Sequence, residues 1–253
     1  MLPGQAKTRL IQMATNHALT FFFLIAFAFS WLVFLPMIVF HAPIELTALA
    51  SFGPTVAALA THRFATGNYR AFRIYTRWPR IVGATVFGIA LVVFAYVVLP
   101  GVTTADPHKL NWSILLSVNV YNYSTLLGAP IGEELGWRGY ALPRLEERLR
   151  PVGATLLLAL LWAAWHLPLF LIPGWTTSPL WTFVLILVGL SIIMTHAVNL
   201  AHFSVITPIA THAASTPFRG SWLVSSRTLN QACEYRLNSC SPGVGSRRPW
   251  SSW

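Results

Sequence analysis

Carboxylates are nearly absent from this chain: seven Asp and Glu stand against 17 Lys and Arg in 253 residues, and charged side chains of either sign make up only 9%. Soluble domains carry roughly 25% charged residues, so a composition this poor in charge excludes an ordinary water-facing globule. Cysteine is equally scarce. Its two copies, Cys233 and Cys240, lie near the end of the chain, which excludes a disulfide framework or a thiolate metal site in the main body. No repeat at a fixed period is visible, and no H-E-x-x-H zinc signature occurs.

What is present is apolar sequence. Hydrophobic residues make up 55% of the chain and mean hydropathy is +0.59. A membrane span needs about 20 mostly apolar residues to cross roughly 30 Å of hydrocarbon. Six runs qualify, at 18–40, 44–62, 81–100, 112–131, 152–172 and 180–198, and a weaker, more polar seventh covers 200–218. Gly and Pro inside these runs need neighbouring helices to re-satisfy the backbone. The expected fold is therefore all-α, a polytopic membrane helix bundle of about seven transmembrane segments. The first run is too long for the core of a cleavable leader and has no A-x-A-like site after it, so it is read as a retained span.

The basic residues fall in alternate connections. Lys7 and Arg9 precede the first run, Arg63 to Arg80 lie between the second and third, and Arg138 to Arg150 lie between the fourth and fifth. The intervening connections hold only Lys109. This is the positive-inside pattern, so residues 1–17 are expected in the cytoplasm and the protein in the cell (plasma) membrane, its basic loops against anionic headgroups. The net charge of +10 thus has a membrane explanation, and nucleic acid is excluded as a partner because no aromatic-basic reader motif accompanies it. From about residue 219 the chain turns Ser- and Arg-rich. Seven crossings would leave this tail, 219–253, outside, against the charge rule; it reads either as disordered or as a non-native terminus. No feature fixes an oligomeric state.

Against this background the stretch "APIGEELGWRGYALPRLEERL", 129–149, puts Glu133 and Glu134 side by side with Arg138 close behind. Charge in a membrane is costly, so ionisable groups there face an interior and pair. On a helix Glu134 and Arg138 stand at i,i+4, whereas Glu133 points about 100° away. One carboxylate then meets the cation, and the other is left in an apolar setting that suits a general base. The competing reading is an interfacial amphipathic helix, with Arg144, Glu146, Glu147 and Arg148 on its solvated face. Two histidines weigh against it. His166 lies inside "LLWAAWHLPLF", one turn after Trp162, and His212 lies in the last apolar run. A buried imidazole needs a polar partner, and the two glutamates are the nearest carboxylates. His196 and His202 flank Asn199 and are candidates for a supporting role.

These residues resemble the intramembrane CAAX-processing and bacteriocin-processing endopeptidases, the CPBP or Abi family, over about residues 20–217. The first family motif, E-E-x-x-x-R, is met by Glu133, Glu134 and Arg138. The second, an aromatic followed by x-x-x-H, is met by Trp162 and His166. The third, H-x-x-x-N, is met by His212, but Thr216 stands where Asn is expected; Asn199 sits at the family's usual turn, and "SFGPTVAAL" is also family-like. The resemblance implies peptide-bond hydrolysis near the cytoplasmic face, in a protease domain covering 18–218. Glu133 with His166 would activate a water, Glu134 and Arg138 would hold the geometry, and His212 would stabilise the oxyanion, with Thr216 a weaker donor than Asn. Substrates would be prenylated, bacteriocin-like or other membrane-proximal peptides. Glu133, His166 and His212 could hold zinc or another divalent metal with an open water position; a metal-independent glutamate–histidine pair is preferred. The alternatives are a non-catalytic binding or immunity protein of the same fold, with the third motif degraded, and a small transporter, against which the lack of repeats counts.

Overall fold

The computed structural model describes residues 17–43, 45–72, 77–95, 129–172, 175–176 and 179–215. Every regular element among them is helical: α1 (Ala18–Val39), α2 (Leu46–Ala50), α3 (Gly53–Thr66), α4 (Trp78–Val93), α5 (Ala129–Gly136), α6 (Leu142–Glu146), α7 (Pro151–Trp165) and α8 (Leu180–Leu200). A last helix, α9, covers 206–215. A π-helical turn, Trp137–Ala141, joins α5 to α6, and a 3₁₀ turn, Leu167–Leu171, follows α7.

Among the described residues, three helical segments are long and apolar enough to cross a membrane: Ala18–Val39, Pro151–Leu171 and Leu180–Leu200. The pattern on α1 shows why. Its buried residues, Leu19, Phe22, Ala26, Ser30, Phe34 and Met37, recur every three or four positions and form one stripe. The opposite face exposes Leu24 and Leu32 at 62% and 68%. A helix apolar all round, with only one stripe packed, suits lipid rather than water.

The remaining expected spans differ. The run at 44–62 is broken at Ser51–Phe52 into α2 and α3, because Pro54 cannot donate a backbone hydrogen bond and so starts a helix instead of continuing one. The third run yields a helix of 16 residues that starts earlier than expected, with Pro79 in its first turn. The fourth run, 112–131, lies outside the described residues except for its last three, which open α5. The weak seventh run is interrupted at its start, where His202 and Phe203 adopt left-handed φ values of 49° and 62°. Such a conformation is uncommon for side chains other than glycine, and here it turns the chain into α9. Thr216 and the tail 219–253 lie outside the described residues.

Close approach of small residues seats α5 in the middle of the bundle. Gly132 and Gly136 are one turn apart on α5 and face the α2–α3 break. A Cβ on Gly132 would come within 2.7 Å of the Ser51 carbonyl oxygen, and one on Gly136 would overlap Pro54. Thr55 Oγ1 donates to the Gly132 carbonyl at 2.6 Å across this contact. In turn α3 lies against α1, and Ser30 Oγ on α1 donates to the Ala50 carbonyl at the end of α2 at 2.7 Å. With one face of α5 pressed on α3, the glutamates between the two glycines project into the bundle interior. Gly136→Ala is therefore expected to overpack this joint and destabilise the protein by about 1–3 kcal/mol, read as earlier thermal unfolding in detergent, while Gly153→Ala, whose nearest neighbour is an ordinary 3.7 Å away, should leave it unchanged.

Candidate active site

Glu133 and Glu134 are both buried, at 3% and 0% exposure, and the neighbouring Arg138 is at 0%. The i,i+4 pairing expected from sequence is present: Arg138 Nη1 donates to Glu134 Oε1 at 3.0 Å. The π-helical turn that carries Arg138 belongs to a backbone type that recurs at functional sites. A second guanidinium nitrogen, Nη2, donates to Ser191 Oγ on α8 at 2.8 Å. The guanidinium also lies over the Trp162 ring at 4.3 Å. The cation is thus held on three sides: carboxylate, hydroxyl and aromatic face.

His212 meets the same glutamate. Its Nδ1 lies 2.8 Å from Glu134 Oε1, so one carboxylate oxygen serves both Arg138 and His212. A carboxylate only accepts, so Nδ1 carries the hydrogen and Nε2 is the nitrogen turned to other work. The second oxygen, Glu134 Oε2, is buried with no hydrogen-bond partner among the described residues. Buried polar atoms are rarely left unpaired, so this oxygen marks where a water or a substrate donor fits.

His166 stands at the end of α7 because Pro168 stops the helix two residues later. Its backbone N–H bonds to Ala163 rather than to Trp162. The imidazole compensates: Nδ1–H donates to the Trp162 carbonyl at 2.8 Å. A helix end leaves carbonyls without backbone partners, and here a side chain takes one of them. The bond fixes the tautomer, leaving Nε2 with the lone pair in the neutral ring. Trp165, Phe183 and Trp175 surround the imidazole, with ring centroids 4.7, 5.2 and 6.3 Å away. This hydrogen bond of His166 goes to a backbone carbonyl, while His212 meets the Glu134 carboxylate.

Glu133 is held from the other side. Trp162 Nε1–H donates to Glu133 Oε2 at 2.6 Å. The same indole has the edges of His166 and His212 at 5.7 and 5.4 Å, so Glu133, Glu134, Arg138, His166 and His212 form one buried cluster around Trp162.

Glu133, His166 and His212, suggested above as a three-ligand metal set, lie in this one cluster around Trp162. Among the described residues, no group of three or more His, Cys, Asp or Glu is placed to hold a metal ion. Glu133 accepts an indole N–H through Oε2, and His212 turns Nδ1 to a glutamate already bound to arginine. Asn199 is placed elsewhere. Its Nδ2 donates to Glu146 Oε1 at 2.9 Å, tying α8 to α6. His196 packs on Phe87, and His202 meets Arg80 Nη1 at 2.8 Å. Sequence reading missed Ser191. Its signal was a hydroxyl alone in the apolar run "VLILVGLSIIM". At the edge of the cluster Arg144 lies over the Tyr140 ring at 3.7 Å; burial pushes the Tyr140 phenol above its ordinary range, against the opposing pull of Arg144.

The fold and the site define a helical membrane protein with a buried glutamate–arginine–histidine centre. Residues 110–216 match the family model described as type II CAAX prenyl endopeptidase Rce1-like. A CAAX prenyl protease 2 from Methanococcus maripaludis is 45% identical over 47 residues, which cover 19% of this chain and 17% of that protein. No solved structure matches. The two matches agree with the resemblance read from the motifs: the part of the chain that holds Glu133, Glu134, Arg138, His166 and His212 is similar to the type II CAAX prenyl endopeptidases.

Proposed function

We propose that the protein is an intramembrane endopeptidase of the CAAX-processing type, hydrolysing a peptide bond next to a prenylated or otherwise membrane-held residue. The observation that carries this reading is the placement of two histidines and a glutamate–arginine pair around a second, separately held glutamate, all buried in a lipid-facing bundle. In this scheme a water sits between the Glu133 carboxylate and His166 Nε2. Glu133 accepts its proton, the hydroxide adds to the scissile carbonyl, and the C–N bond breaks as Glu133 returns the proton to the leaving amine. His212, held through Nδ1 by the Glu134 carboxylate, faces the developing oxyanion with Nε2 and supplies a hydrogen bond there, a contribution of a few kcal/mol. Arg138 and Ser191 keep Glu134 in place. No step uses a metal.

The basic connections support a cytoplasmic N-terminus in the plasma membrane, with the site opening toward the cytoplasmic face and residues 18–218 as the protease domain. The bilayer is then both solvent and substrate carrier. The test is cleavage of a quenched fluorescent prenyl-peptide by the purified full chain in vesicles. Wild type should cleave, His166→Ala should lose about 10²–10⁴ of the rate, and a chelator should change nothing. Cleavage abolished by chelator and restored by zinc would replace the metal-free scheme. A wild type silent on prenylated and unprenylated anchored peptides alike would leave a binding protein of the same fold.

A further inference from the structure

One side chain touches both halves of the site. The indole N–H of Trp162 donates to Glu133 at 2.6 Å, and its ring carries the Arg138 guanidinium at 4.3 Å. The Trp162 carbonyl receives the His166 Nδ1–H at 2.8 Å. We propose that Trp162 is the positioning residue of this site: its N–H orients the Glu133 carboxylate, and its backbone orients His166, so the base and its partner imidazole are aligned by one residue. The proposal rests on the hydrolytic reading above.

Three features support it. Trp162 is fully buried, so water does not compete for either end of its bond to Glu133. A hydrogen bond to an ionised acceptor is about twice as strong as one between neutral groups, enough to decide between carboxylate rotamers. The ring itself has little freedom to turn, because a cation occupies its face and two imidazoles meet it edge-on. An N–H fixed in direction fixes the acceptor in direction. Finally, Trp162 and His166 are one turn apart on α7, and Pro168 ends the helix so that the imidazole bonds back to the Trp162 carbonyl. Ring volume alone does none of this for Glu133; only the N–H does. Phenylalanine at this position would keep an aromatic face for Arg138 and lose the donor.

The experiment compares wild type, Trp162→Phe and a benzothienylalanine at 162, which keeps both rings and replaces N–H by sulfur, in the full chain in vesicles. Both substitutions should lower kcat for the anchored peptide by about 10- to 100-fold, the equivalent of one hydrogen bond to a charged group, with KM within about twofold. Thermal unfolding of the benzothienylalanine protein, lowered by loss of a buried hydrogen bond, should still lie well above the assay temperature, so that the kcat change is read on folded protein. A second readout needs no activity. The chain has six glutamates, so isotope-edited infrared spectra of carboxylates are tractable, and the band lost in Glu133→Gln should shift in both Trp162 substitutions. An unshifted band, or full kcat without the N–H, overturns the proposal. A band that shifts in both substitutions, with a wild type that cleaves nothing, keeps the positioning role and sinks the protease reading instead.

Discussion

Glu133→Gln is expected to reduce kcat for anchored-peptide cleavage by about 10²–10⁴, the usual contribution of a general base. The substitution isolates basicity from shape. A glutamine carbonyl can still accept the Trp162 N–H that now binds Glu133 Oε2 at 2.6 Å, so the side chain keeps its seat. What it loses is the ability to take a proton from water. KM should therefore hold while kcat falls, the pattern of an interaction that matters only in the transition state. Single-turnover rates on a prenylated quenched peptide in vesicles make the measurement. Full activity in Glu133→Gln would remove the proposed chemistry, and a biological effect that survives the substitution would point to binding without catalysis.

Arg138→Met should have the largest effect on stability. Removing one member of a buried ion pair leaves the other charge uncompensated, at about 3–5 kcal/mol. Here the stranded group is Glu134, fully buried and otherwise bonded to His212. The loss should appear as a strongly lowered unfolding midpoint in detergent. Most of it should be recovered in the double variant Arg138→Met/Glu134→Gln, because the cost comes from the unpaired carboxylate and not from a missing attraction. If the double variant is no more stable than the single, the arginine matters for packing against Trp162, where it lies 4.3 Å over the ring, and the charge argument fails. Either way, activity in the double variant should remain low, since His212 loses the carboxylate charge that faces its ring.

These two predictions rest on different layers of information. That Glu133 and Glu134 would take unequal roles followed from helix geometry alone: adjacent residues point about 100° apart, and only Glu134 is at i,i+4 from Arg138. The 3.0 Å bond between them agrees. The lipid-facing character of the long helices was equally legible, because apolar residues on every face have no other stable setting. Less legible was the broken second run. "IELTALASFGPTVAALATH" is apolar enough to cross as one helix, yet Gly53 and Pro54 divide it, and the break is where α5 lands with Gly132 and Gly136. Two glycines one turn apart, with both glutamates between them, were visible as letters; the surface they pack against was not.

The sequence by itself determined the class of protein, the scarcity that makes each carboxylate costly, and the identity of the residues able to do acid–base work. Local periodicity and composition act over a few turns, and these properties are local. Tertiary structure decided the partners. It gave His212 to Glu134 and His166 to a backbone carbonyl, sent Asn199 to Glu146, brought Ser191 to Arg138 from more than fifty residues away, and put Trp162 at the centre. A hydrogen bond is directional and extends about 3 Å, so which donor finds which acceptor depends on how helices distant in sequence are seated. That seating is set by close contacts between small residues, which no single stretch of the chain records.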